Sequence, residues 1–86
     1  MANVLFLDNA LAHFMFWVHN NRKTADKINA LLNDIERNGA SKGIGKPERL
    51  KYEAGWSRRI DKENRLVYEV RENFIEVKSC KGHYEE

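Results

Sequence analysis

At 86 residues and a formal net charge of +2, the chain is expected to form one small domain spanning 1–86, and a domain of this size buries only about 60% of its unfolded surface, so its core must be well filled. A lone cysteine, Cys80, excludes an internal disulfide and points to a reducing compartment. The amino terminus has no basic leader pattern, and no run approaches the roughly 18 apolar residues of a membrane span, so a cytoplasmic protein is expected.

Residues 3–7 (NVLFL) form a short apolar run of the length of a buried strand. Asp8 is placed to cap a first helix. Leu11, Phe14, Met15 and Val18 recur at helical spacing, so residues 9–19 read as an amphipathic helix, its stripe widened by Trp17 and broken by Asn20-Asn21. Thr24 can cap a second helix, in which Ile28, Leu31, Leu32 and Ile35 repeat the spacing and Asn38-Gly39 supplies the stop. So short a connection predicts a helical hairpin. Both stripes are core.

Residues 40–47 (ASKGIGKP) are a loop, because their glycines and proline suit neither helix nor central strand. Beyond them the period changes to two. Residues 56–60 (WSRRI) read as a strand, followed by the polar turn 61–64. A second strand from Arg65 points Leu66, Tyr68 and Val70 one way and Arg65, Val67 and Glu69 the other. After Glu72-Asn73 a third strand runs from Phe74 to about Lys81, with Ile75 and Val77 inward. The result is an α+β fold in two layers, β-α-α-β-β-β, with a helical hairpin packed on an antiparallel sheet to which the amino-terminal strand adds. Arg58 sits awkwardly in it. Alternation gives it the core side of its strand, so it is expected at the sheet margin with its head in water, or re-aimed by a bulge.

Charge is concentrated rather than large. Residues 42–65 carry eight Lys or Arg against four acids, a local +4, while the remainder is slightly acidic. Within this segment Lys46, Glu48, Lys51, Arg59 and Arg65 have no packing role to explain them, and His83 and Tyr84 stand apart near the end of the chain. Arg59 and Arg65 belong on the exposed face of neighbouring strands, where two guanidiniums repel unless an anion lies between them. Phosphate suits that place, because its oxygens match the guanidinium fork. The competing reading pairs each arginine with Glu63, Glu69 or Glu76. His13, His19 and His83 are scattered, with no CxxC, HExxH or paired aspartates, so no metal site and no cofactor is expected. Cys80 lies in a strand-like run, where a thiol is usually a small buried hydrophobe.

These residues bring the sequence close to a known group. Lys27-Ile28-Asn29, Gly45-Lys46-Pro47-Glu48 with Leu50-Lys51, Trp56-Ser57-Arg58-Arg59-Ile60, Arg65-Leu66-Val67-Tyr68, Cys80 and His83-Tyr84 resemble, in order and spacing, the YoeB group of the RelE superfamily of type II toxin–antitoxin messenger-RNA interferases. The resemblance covers nearly the whole chain and implies a RelE-like fold. It also implies a metal-independent endoribonuclease, in which a ribose 2′-hydroxyl attacks the adjacent phosphate to leave a 2′,3′-cyclic phosphate and a 5′-hydroxyl end. By that resemblance Glu48 is the general base, His83 the general acid and Arg65 the group that stabilises the phosphorane. Lys46, Lys51 and Arg59 would hold phosphate, and Tyr84 would orient the substrate. The chemistry is self-consistent, since a carboxylate is charged at neutral pH and an imidazole titrates close to it.

The resemblance further implies cleavage of translated messages on the ribosome, a YefM-like antitoxin as partner, and room for a homodimer. Two departures stand out: the chain continues past His83-Tyr84 with Glu85-Glu86, and Gly82 replaces a residue that is commonly bulkier. The alternatives are a non-catalytic RNA- or ribosome-binding module, for which the joint presence of Glu48 and His83 has no purpose, and a protein-interaction domain whose cations meet an acidic partner.

Overall fold

The computed structural model describes residues 3–83. Two helices cover one face of a five-stranded sheet, in the element order β1 (Val4–Phe6), α1 (Asp8–Asn20), α2 (Arg22–Asn38), β2 (Glu48–Arg49), β3 (Trp56–Arg59), β4 (Arg65–Val70) and β5 (Ile75–Ser79). The strands lie in the order β1-β5-β4-β3-β2. The expected two-layer α+β arrangement is present, with two differences. The sheet is mixed, because β1 runs parallel to β5, and the polar pair Glu48–Arg49 adds a short edge strand that no period-two pattern announces. Among the described residues no helix is long and apolar enough to cross a membrane.

Helix α2 buries the stripe its sequence predicts: Ile28, Leu31, Leu32 and Ile35 pack with Leu66, Tyr68, Ile75, Val77 and Cys80. Helix α1 turns differently. Ala10 and Trp17 are buried, whereas Leu11 and Met15, two members of the expected stripe, are exposed. The helix is apolar nearly all round, so spacing alone does not choose its inward face.

The caps also shift. The N-cap of α1 is Leu7, with Asp8 in the first turn, and that of α2 is Asn21, whose side chain accepts from the Thr24 amide while Thr24 itself is buried. Gly39 closes α2 at φ 91°, as expected of a left-handed stop.

Arg58 takes neither expected position. Its side chain is fully buried and all five of its donors are used. Nε donates to the Tyr68 hydroxyl at 2.9 Å, Nη1 to Asp34 Oδ2 at 2.5 Å and to the Ile44 carbonyl at 2.9 Å, and Nη2 to the carbonyls of Gly39 and Lys42 at 2.9 and 2.6 Å. The Tyr68 hydroxyl passes the chain on to the Ala40 carbonyl at 2.6 Å. A buried charge is tolerable only when paired and hydrogen-bonded in this way, and the Arg58 contacts in turn hold the Asp34 carboxyl below its ordinary range. The loop after α2 is therefore wrapped around a guanidinium.

Candidate functional site on the outer face of the sheet

The face of the sheet turned away from the helices is built by register. Glu48 lies opposite Ser57, Ser57 opposite Val67, and Val67 opposite Ser79, a row that crosses four strands. Two residues further along β3, Arg59 faces Arg65 of β4. The Arg59 amide donates outward to the Gly45 carbonyl at 2.6 Å, and the Arg65 amide outward to the Gly82 carbonyl at 3.0 Å. The two arginines thus form a non-hydrogen-bonded pair, the close kind, with α-carbons about 4.5 Å apart. Alternation keeps them on the Glu48 side of the sheet.

Neither arginine forms an ion pair with a described carboxylate. Arg65 Nη1 donates to the backbone carbonyls of Asp61 and Asn64 at 3.0 and 3.3 Å. Two acids of the competing reading are engaged elsewhere: Glu69 with Arg71 and Lys78, and Glu76 with Arg71. Register thus sets the two arginines side by side on the face that carries Glu48. The Arg65 guanidinium is turned onto the 61–64 turn, where its charge also acts on the Asp61 carboxylate. Paired cations of this kind suit an anion.

The loop before β2 is shaped for this edge. Gly45 has φ 82°, and a β-carbon there would come within 2.9 Å of Leu31 Cδ2 and 3.1 Å of the Arg59 carbonyl oxygen. Only glycine combines that backbone with that approach. Lys46 comes next at φ 50°, exposed. Lys51 is exposed in the turn after β2. Beneath that turn Leu50 and Val67 are buried although they belong to the outer face and lie outside the main core, so the turn covers part of this side.

The carboxyl-terminal segment reaches the same face through a bulge. Between Val67 and Tyr68 the pairing shifts, with Tyr68 opposite Val77 and Val67 opposite Ser79, which leaves Lys78 as the extra residue. The shift reverses the parity of everything after it. Cys80 turns into the core, and His83, which strict alternation from Ile75 and Val77 sends inward, is exposed. The bulge falls at Lys78, one residue before β5 ends at Ser79.

Gly82, at φ 88°, is held by Asn64, whose Oδ1 accepts from its amide at 2.8 Å, and by the Arg65 amide. His83 therefore comes directly after the residue docked to Arg65. Helix α1 secures the root of this segment. The Trp17 indole donates to the Cys80 carbonyl at 2.8 Å, the Cys80 amide donates to His13 Nδ1 at 3.2 Å, and the thiol donates to the Ala10 carbonyl at 3.6 Å. Burial, with the charge of Lys81 second, holds the His13 pKa below that of a free imidazole. Burial pushes the Cys80 thiol up to about 12.

The structure thus gathers Lys46, Glu48, Arg59, Arg65 and the segment leading to His83 along one face, with Lys51 in the adjoining turn. Tyr84 lies outside the described residues. Among the described residues no three His, Cys, Asp or Glu stand together as a metal site. Sequence reasoning misses the supports of this face, Asp34, Asn64 and Lys78, and gives His13 no part in it. The conflicting parity of Arg58 is the one signal that something buried has to meet it.

This small two-layer fold, with a polar face opposite the helices, is one found among bacterial toxins. Residues 6–84 match the model of the YoeB-like toxin of bacterial type II toxin-antitoxin system, and the chain belongs to that family. Toxin YoeB of Mycobacterium bovis is 43% identical over 86 residues, covering 98% of this chain and 100% of the relative. The YoeB dimer from Staphylococcus aureus superposes with a TM-score of 0.92 at 47% identity, covering 96% of this chain and 98% of that one. The YoeB-YefM complex from the same organism gives a TM-score of 0.92 at 48% identity, with 98% and 99% covered.

Proposed function

We propose that this toxin is a ribosome-dependent, metal-independent endoribonuclease that cleaves translated messenger RNA and so arrests translation. The observation that carries the reading is the paired outward arginines, Arg59 and Arg65, on the same face as Glu48 and next to the segment that ends in His83. A phosphodiester seated on the two guanidiniums has its 2′-hydroxyl deprotonated by Glu48. The 2′-oxygen attacks phosphorus, and the 5′-oxygen leaves with a proton from His83, giving a 2′,3′-cyclic phosphate and a 5′-hydroxyl end. Arg65, with Arg59, stabilises the charge that builds on the phosphorane oxygens. Lys46 and Lys51 neutralise flanking phosphates, and Tyr84 orients the substrate.

The ribosome holds and orients the message against these side chains. The S. aureus relatives are described as a dimer and as a complex with YefM. By the same likeness this chain pairs with a YefM-like antitoxin whose acidic segment covers the cationic face, and it forms a homodimer.

The test is to map message 5′ ends after induction and to repeat it with Glu48→Ala, Arg65→Ala and His83→Ala. New 5′-hydroxyl ends and growth arrest are expected for the parent. Glu48→Ala and His83→Ala lose cleavage by about 10²–10⁴-fold, the range of acid–base assistance, Arg65→Ala loses about 10²–10³-fold, the range for a charge-stabilising donor, and all three relieve the arrest. Salt-dependent ribosome binding without new ends would make the protein a binding module instead. Three fully toxic variants would overturn the site assignment.

A further inference from the structure

The Glu48 strand is two residues long and sits at the sheet edge, with only β3 as its neighbour. Two hydrogen-bonded residues do not fix a side chain to the tolerance that proton transfer needs. The loop before β2 is held by the buried Arg58 guanidinium. The turn after it, residues 50–55, has its own tie. Its base is closed by the Leu50 amide on the Gly55 carbonyl at 3.1 Å. From β5, Lys78 Nζ reaches the Glu53 carboxylate at 3.2 Å, the Ala54 carbonyl at 2.9 Å and Glu69 of β4 at 3.3 Å. Lys78 can do this because it is the bulged residue: the register shift at Val67 and Tyr68 frees it from pairing.

We infer that Lys78 is a positioning residue for the proposed cleavage, tying the turn 50–55 to the middle of the sheet and so fixing Glu48 and Lys51 from their carboxyl-terminal side. All three ammonium donors are engaged, two by carboxylates and one by a backbone carbonyl. Burial opposes the Lys78 charge, but the hydrogen bonds it donates to Glu53 and Glu69 prevail and raise its pKa. Without the ammonium, Glu53 and Glu69 are brought together as like charges, and the turn is repelled from the face it covers. Lys78 touches neither substrate nor reacting atoms. Its effect passes through the backbone of 50–55.

This inference rests on the ribonuclease reading, and the test separates the two. Cleavage of a messenger in the A site of purified ribosomes is measured for the parent, Lys78→Ala, Lys78→Arg, and the exchange Lys78→Glu with Glu53→Lys. Amide exchange of residues 48–55 is monitored in the free protein. For Lys78→Ala the turnover falls by about 10- to 100-fold with KM little changed, exchange at 48–55 quickens, and the melting temperature moves by no more than a few degrees. Lys78→Arg recovers most of the turnover, and the exchanged pair recovers less, because a carboxylate at position 78 cannot donate to the Ala54 carbonyl and stands against Glu69. An active parent with an equally active Lys78→Ala, or a loss confined to KM, overturns the positioning role. Unchanged exchange at 48–55 overturns the tie itself, whatever the activity. A parent that does not cleave sinks the ribonuclease reading and, with it, this role.

Discussion

Replacing Arg58 with lysine keeps the charge and discards the fork, which makes it a sharp probe of what the buried guanidinium does. Arg58 serves five acceptors: the Tyr68 hydroxyl, Asp34, and the carbonyls of Gly39, Lys42 and Ile44. A lysine ammonium offers three donors from a single nitrogen, so at least two of these acceptors lose their partner in a site that is buried at Tyr68 and part-buried at Asp34 and the loop carbonyls. Each buried polar group left unsatisfied costs about 1–3 kcal/mol, so Arg58→Lys is expected to lose about 2–6 kcal/mol. A chain of this length has about 4–13 kcal/mol to lose, at roughly 0.05–0.15 kcal/mol per residue. The melting temperature should therefore fall by at least about 8 °C, taking about 4–8 °C per kcal/mol for a domain of this size. Thermal and urea unfolding monitored by circular dichroism measure both quantities. A variant within about 0.5 kcal/mol of the parent would refute the reasoning, because it would mean that the five bonds are dispensable or that water replaces them.

Two further outcomes are expected of helix α1 and the residue it grips. His13 is held neutral by burial and, second, by Lys81, so its folded-state pKa lies below that of the unfolded chain. As pH falls, the unfolded chain takes up the proton first. The His13 contribution to stability is thus complete above about pH 6.5 and is lost as pH drops through the folded-state value. Unfolding midpoints measured between about pH 7 and pH 5 should decline, and less so in His13→Gln. Cys80, its thiol pushed up to about 12 by burial, should resist iodoacetamide at mildly alkaline pH until denaturant is added. Rapid labelling of the native protein would contradict its burial.

Much of this architecture can be read directly from the chain, and the exceptions have physical causes. Helix α2 is legible because its apolar residues fall on one stripe and the rest are polar. Helix α1 is legible as a helix but not in its orientation, because Leu11 and Met15 are as apolar as Trp17. The parallel β1–β5 pairing joins Val4 to Ile75, a contact that no local pattern encodes. Arg58 defeats alternation because its partners come from a loop whose path is itself set by the arginine.

The site divides in the same way. Strand parity places Arg59 and Arg65 correctly on the outer face, since alternation is a local property. The course of the chain toward His83 depends on a bulge at Lys78, which has no sequence signature beyond the parity conflict. The roles of Glu48 and His83 come from family likeness, because two residues 35 positions apart in the chain share no spacing rule.

The place of β5 has a consequence for how the protein is made. It is the last strand in the chain, yet it lies second in the sheet, between β1 and β4. The first strand waits for a partner 71 residues downstream, Val4 for Ile75, and α1 waits for Cys80 to fill its inner face. Contacts of such long separation close late. A nascent chain cannot assemble the sheet until nearly all of it has been synthesised. The residues that complete the proposed site, His83 and Tyr84, come later still. A copy terminated before Ile75 therefore lacks both the keystone strand and the histidine.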